Sequence, residues 1–354
     1  MSILDQLDLS LPLIQAPMAG VSTPELAAAV SEAGALGSIG VGATDVAGAR
    51  SMIAEVRERT RRAFNVNLFV HGPASANPAR EAEWLGWLRP LFAEFGAEPP
   101  ATLRTIYKSL AEDADMVAML LETAPPVLSF HFGLPPADVL SALRERGIFM
   151  LATATSLDEA RAVEAAGIDA IVAQGIEAGG HRGMFDPAAP DDALGTMALT
   201  RLLVKNTSLP VVAAGGIMDG AGIAAALDLG AAAAQLGTAF IACPESAADN
   251  AYRAALAGPA AYHTTLTPLI SGRPARALAN RFTALARTVG NRLPPDYPIA
   301  YDAGKALHAA AKAKGEYGFG AQWAGQGAPL TRTMPAAELV DTLRLELQAC
   351  QGNP

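Results

Sequence analysis

The chain is poor in the groups that mark several classes of protein. It has two cysteines in 354 residues, Cys243 and Cys350, without metal-ligand spacing. That excludes a cysteine-rich metal module and a disulfide scaffold, and a chain of this length buries a core without crosslinks. Charged residues make up 17% and the net charge is −9, with no Lys/Arg run and no basic stretch interleaved with aromatics. Nucleic acid and anionic membrane are therefore poor partners, and a small molecule is the expected ligand. No apolar run reaches the roughly 20 residues that span a bilayer. The opening MSILDQLDLSLPLIQAPM is acidic where a secretory signal is basic. A reduced, cytoplasmic setting is the expectation.

What is present is a cadence. Eight short apolar runs recur: LIQAPMA (13–19), ALGSIGV (35–41), FNVNLFV (64–70), VLSFHFG (127–133), FMLATAT (149–155), AIVAQG (170–175), PVVAAGG (210–216) and AAAQLGT (232–238). Runs apolar on both faces suit parallel strands covered by helices. Helical segments with readable ends lie between them. TPELAAAVSEAG has Thr23 as N-cap, Pro24 at the first helical position and Gly34 as stop; SLDEARAVEAAG carries a Ser156/Glu159 capping box and stops at Gly167. The pattern points to an α/β fold, a (β/α)8 TIM barrel, although a doubly wound sheet shares its local signals. Residues 71–126 and 241–330 break the cadence, look helical, and follow the third and eighth strands. As insertions at the strand C-termini they would form a helical cap. The division expected is 1–70, 120–240 and 331–354 for the barrel, with 71–119 and 241–330 for the cap. In the last segment Leu339, Val340, Leu343 and Leu347 sit at helical spacing and should pack on the barrel wall.

In a barrel the strand C-termini carry function. Here they present Met18 and Gly20, Asn67, His131, Thr153, Gln174, Gly215/Gly216 and Gly237/Thr238. The glycines of the last two strands free backbone N–H groups for a phosphate, or simply make tight turns. QGIEAGGHRG (174–183) places His181 on a loop whose Gly179 and Gly180 allow close approach to a flat ligand, with Glu177 nearby as an orienting carboxylate. His131 reads equally as a ligand contact or as a buried, hydrogen-bonded histidine. His71, His263 and His308 get a structural reading, and no metal site is expected. Tyr297, Tyr301 and Lys305 fall at i, i+4 and i+8 on a helix capped by Asp296. That stripe is either a solvated face or an anion-binding wall.

The sequence resembles the nitronate monooxygenases, once called 2-nitropropane dioxygenases, and within them class I. The resemblance runs nearly the whole chain through QAPMAG, FNVNLF, SFHFG, QGIEAGGHRG, AAGGI, QLGTAF, the Tyr297/Tyr301/Lys305 stripe and WAGQG at 323–327. It implies a non-covalent FMN, with phosphate on Gly216, Gly237 and Thr238 and ring contacts from Met18, Gly20, Asn67, Gln174 and Gly179. Tyr107, His131, Tyr297, Tyr301 and Lys305 would form the substrate pocket, with His181 catalytic. The implied reaction is oxidation of propionate 3-nitronate and alkyl nitronates by O2 to a carbonyl compound and nitrite or nitrate, in a monomer or homodimer. Two alternatives stand beside it. The same barrel could serve an FMN-dependent NAD(P)H reductase of a quinone or an enoyl thioester, or a flavin-free phosphate-ligand barrel, a lyase or sensor.

Overall fold

The computed structural model describes residues 2–352. Each of the eight apolar runs forms a parallel strand: β1 Leu13–Gln15, β2 Gly37–Gly40, β3 Phe64–Phe69, β4 Val127–His131, β5 Phe149–Ala154, β6 Ala170–Gln174, β8 Val211–Ala214 and β9 Ala233–Leu236. They follow the order β1-β9-β8-β6-β5-β4-β3-β2. A parallel bridge between Ile14 and Leu36 joins the two ends and closes the barrel. The open doubly wound sheet is thereby ruled out. Three further short strands, β7 Gly180–His181, β10 Thr264–Thr267 and β11 Ala275–Leu278, form a separate antiparallel sheet.

The helix ends follow the local signals. Thr23 accepts from the Leu26 N–H, with Pro24 at the first helical position. Ser156 caps Glu159 as read, but Glu159 turns its carboxylate to Thr155 and Phe185 instead of completing the box. Leu339, Val340, Leu343 and Leu347 are buried on the final helix, Ala336–Gln351, against the helices Gly220–Asp228 and Pro24–Glu32. A short first helix, Ile3–Leu7, plugs the N-terminal end of the barrel with Ile3 and Leu7 among Val127, Leu151, Ala170 and Val212.

The two insertions pack on each other. Trp84, Leu88 and Phe92 of the helix Pro78–Glu94 share a core with Ile270, Phe282, Leu307 and Phe319. The stretch 241–330 is not all helical, contrary to its composition, because β10 and β11 form a hairpin inside it. The helix Ala114–Thr123, capped by Asp113 and packed on Val46–Arg59, straddles the 119/120 boundary drawn from sequence. Among the described residues no helix is long and apolar enough to cross a membrane.

Candidate active site

A cavity of about 740 Å³ opens at the C-terminal ends of the strands. Its lining brings together Met18, Gly20, Asn67, Tyr107, His131, Gln174, Gly179, His181, Gly216, Gly237, Thr238, Tyr297, Tyr301 and Lys305. Residues up to 287 positions apart thus meet because parallel strands deliver their C-terminal ends to one rim and the two insertions bring Tyr107, Tyr297, Tyr301 and Lys305 to it. Among the described residues no cluster of His, Cys, Asp and Glu is arranged to hold a metal.

His181 does not sit on a free loop. It forms β7 with Gly180 and pairs with Ala275 and Arg276 of β11, so the second insertion pins it. Its Nε2 lies 2.8 Å from Ser271 Oγ. Its carbonyl accepts from Gln174 Nε2 at 3.0 Å and from His131 Nε2 at 3.1 Å. Because a carbonyl only accepts, His131 carries its proton on Nε2, and its Nδ1 then accepts from Thr153 Oγ1 at 3.0 Å. Both nitrogens of His131 are used by the protein, so this ring walls the cavity and holds the His181 backbone. Burial keeps both imidazoles neutral, pushing His131 down to about 4 and His181 down to about 3.

The orienting role expected of Glu177 is not found. Its carboxylate accepts from the Thr196 N–H and Oγ1 and caps the helix Thr196–Asn206, whose own N-cap, Gly195, offers no side chain. Gly179 is also explained differently. A Cβ there would meet the Gly325 nitrogen at 2.5 Å, so Gly179 is needed for the close packing of residues 324–325. Gly180, at φ +75°, has open space on the Cβ side. Asp296 is not a helix cap: its carboxylate accepts from Ser75 N–H and Arg80 Nη1, and the helix Ile299–Lys312 begins after Pro298 without a side-chain cap. Tyr297 therefore precedes the helix, yet still faces the cavity with Tyr301 and Lys305.

Aromatic rings surround the imidazole. The centroids of Trp323, Tyr297, Phe132 and Tyr301 lie 5.1, 5.3, 5.7 and 6.0 Å from that of His181. Phe132 adopts φ +78°, a strained conformation for a bulky residue, and stands between the cavity rings and a buried cation. That cation is Arg273, its Cζ 4.3 Å from the Phe132 centroid and its donors on the carbonyls of Met184 and Phe185. Burial lowers the Arg273 guanidinium to about 10 and raises Tyr107 and Tyr301 to about 12. Tyr297 Oη is buried without a hydrogen-bond partner. Lys305 Nζ lies 4.9 Å from the Tyr107 centroid and 5.3 Å from that of Tyr301, at the exposed mouth.

Part of the lining is backbone. Gly216, at φ +71°, turns the chain after β8; Gly237 opens the short helix Thr238–Ile241; Thr238 Oγ1 accepts from Gly325 N–H at 2.9 Å. Sequence reasoning missed Ser271, Arg273, Phe132 and Trp323 as parts of this site. Only SFHFG and WAGQG, quoted for the resemblance, contained any of them, Phe132 and Trp323.

Comparison with known proteins agrees along the whole length. The family model described as nitronate monooxygenase matches residues 2–346. The chain is 62% identical to a nitronate monooxygenase of Paraburkholderia phytofirmans, covering 98% of this chain and 95% of that protein. It is 60% identical to a nitronate monooxygenase of Pseudomonas aeruginosa, covering 95% and 96%. Among solved structures it is similar to a nitroalkane oxidase from Streptomyces ansochromogenes, at 42% identity and a TM-score of 0.91 over 99% of both chains.

Proposed function

Since the chain belongs to the nitronate monooxygenase family, we propose that it oxidises nitronates with O2 on a non-covalently bound FMN, giving a carbonyl compound and nitrite or nitrate. The observation that carries this reading is the mixed lining of the cavity. Its lining combines glycine-turned backbone with phenols, an indole and a neutral imidazole, and with an exposed cation, Lys305.

The residues present fit FMN. Gly216 and Gly237, together with Thr238, form a cradle without side-chain bulk for the phosphate: a Cβ on Gly237 would meet only Ala16 Cβ at 3.4 Å and Met18 Sδ at 3.8 Å. Met18, Gly20, Asn67, Gln174 and Gly179 would line the rest of the cofactor. Bound there, FMN would supply the electron transfer between nitronate and O2. The protein's own part is to bind, orient and handle protons. His181, neutral over the working range, accepts the α-proton when the substrate is an uncharged nitroalkane; for a nitronate, already deprotonated, the same ring only positions. Tyr297 Oη, buried and unpaired, is a donor for a nitro oxygen. Tyr301, its ring centroid 6.3 Å from that of Trp323, lines the same cavity and offers its O–H as a donor toward substrate. Lys305 suits a carboxylate at the far end of the substrate, as in propionate 3-nitronate. The two insertions, packed on each other above the strand ends, serve as a cap that limits water at the reacting carbon.

The test is direct. Purified protein with FMN should consume O2 and release nitrite with ethyl nitronate and propionate 3-nitronate, and should leave NADH unoxidised in their absence. Rapid NADH oxidation without nitronate turnover would assign the barrel to the reductases instead. A colourless protein unable to take up FMN would remove both flavin readings.

A further inference from the structure

We infer that Ser271 sets the tautomer of His181: its hydroxyl accepts a hydrogen bond from Nε2–H and so leaves the Nδ1 lone pair as the basic atom that meets substrate. This rests on the reading of His181 as the substrate-side base. Ser271 lies in the turn between β10 and β11 and is fully buried. It would act on substrate only through the imidazole and is a positioning residue.

The assignment follows from the neighbours of one oxygen. Ser271 Oγ is 2.8 Å from His181 Nε2, 3.2 Å from the Arg273 carbonyl and 3.4 Å from the Arg273 N–H. A hydroxyl has one proton to donate and two lone pairs to accept with. The carbonyl can only accept, and the main-chain N–H can only donate. Among the described residues the Ser271 hydroxyl is the sole donor within reach of the Arg273 carbonyl, on a residue that is itself almost fully buried. Giving the hydroxyl proton to that carbonyl satisfies it, and the remaining lone pair is then filled by Nε2–H. The reverse arrangement, with Ser271 donating to Nε2, would strand the Arg273 carbonyl, and buried carbonyls are rarely left so.

Nε2 is therefore occupied, and Nδ1 has no protein partner among the described residues although the ring lines the cavity. With this tautomer a nitroalkane can give its α-proton to Nδ1. The C–H electron pair moves into the C=N bond of the nitronate, and the pair of an N=O bond moves onto oxygen. The imidazolium keeps its Nε2–H on Ser271 and can donate its new Nδ1–H to a substrate oxygen. No other reagent is required. The hydrogen-bonded serine stands where a carboxylate would be expected behind a catalytic histidine. A neutral partner leaves the base weaker and does not place a second negative charge behind a site that receives an anion.

The tautomer can be read without turnover, from the ¹⁵N resonances of histidine-labelled protein, with His181 assigned by difference against His181→Asn. The wild type should show neutral His181 with its proton on Nε2. A wild-type ring protonated on Nδ1 would overturn the inference whether or not nitronates are oxidised. In Ser271→Ala the Nε2–H loses its acceptor, so the population should move toward Nδ1–H, which can face the cavity. kcat/KM for nitroethane should then fall by about tenfold, as loss of one buried hydrogen bond implies. That for ethyl nitronate should stay within about threefold. An unchanged tautomer in Ser271→Ala, or equal losses on both substrates, would also refute it. If that variant fails to fold, as judged by Tm and FMN content, the wild-type resonances alone decide.

Discussion

Replacing Lys305 with Met removes the only cation at the mouth among the cavity-lining residues while keeping a flexible side chain of similar length. Lys305 Nζ lies 4.9 and 5.3 Å from the Tyr107 and Tyr301 centroids, and the residue is exposed. Two unit charges 4 Å apart attract by about 4 kcal/mol at an effective dielectric of 20, but by about 1 kcal/mol in water. The exposure of Lys305 puts a substrate carboxylate near the second limit, so the expected loss is about 1 kcal/mol, a factor of about five in KM. The cation–π contacts are worth about 0.5–1 kcal/mol at such a site, and Met retains part of the ring contact through its sulfur, so Tm should hardly move. The assay is O2 consumption with propionate 3-nitronate and ethyl nitronate on one preparation, at a pH where the carboxylate is ionised. KM should rise about fivefold for the first and stay level for the second. Equal rises would mean that Lys305 serves the nitronate charge or the cap itself, and no rise would place the carboxylate elsewhere.

His181→Asn should retain FMN, because the proposed phosphate cradle, Gly216, Gly237 and Thr238, does not include His181. It should lose about 10²–10⁴ in kcat/KM for a nitroalkane, the usual worth of a general base, and clearly less for its nitronate. Equal losses would leave positioning as its whole role. Gly237→Asp should fold, since its Cβ meets nothing closer than 3.4 Å, yet emerge from desalting without FMN because a carboxylate faces the phosphate; stoichiometric FMN would locate the phosphate elsewhere. His131 is held neutral with its pKa lowered from 6.5 to about 4. Its contribution to stability is thus present above pH 6.5 and is lost as pH falls through about 4, because the unfolded chain takes up the proton first. The change is at most about 3 kcal/mol. Tm measured from pH 7 to pH 4 should fall more steeply for wild type than for His131→Gln, and parallel curves would exclude the imidazole as the cause.

Local sequence determined eight parallel strands and their helices, while closure into a barrel instead of an open doubly wound sheet was decided by the bridge between Ile14 and Leu36. Runs apolar on both faces must be covered on both faces, and Thr23, Pro24, Gly34, Ser156 and Gly167 mark helix ends by rules that act within four residues. Family resemblance named most of the residues that line the cavity, the majority of them at strand ends or within recognisable stretches. Tertiary structure alone decided what those residues do to one another. The two-residue strand that holds His181 is paired to Ala275 and Arg276, more than ninety positions away, and no periodicity extends over two residues. Glu177 is near His181 in the chain, yet its carboxylate caps the helix starting at Thr196, because a buried helix start has free N–H groups and Gly195 has no side chain to meet them. Ser271 was invisible as a partner for the opposite reason: it is distant in sequence and becomes a neighbour of the imidazole only when the β10–β11 hairpin folds over the barrel rim. Hydrogen bonds and charges at a site depend on distance in space, whereas sequence patterns report only distance along the chain.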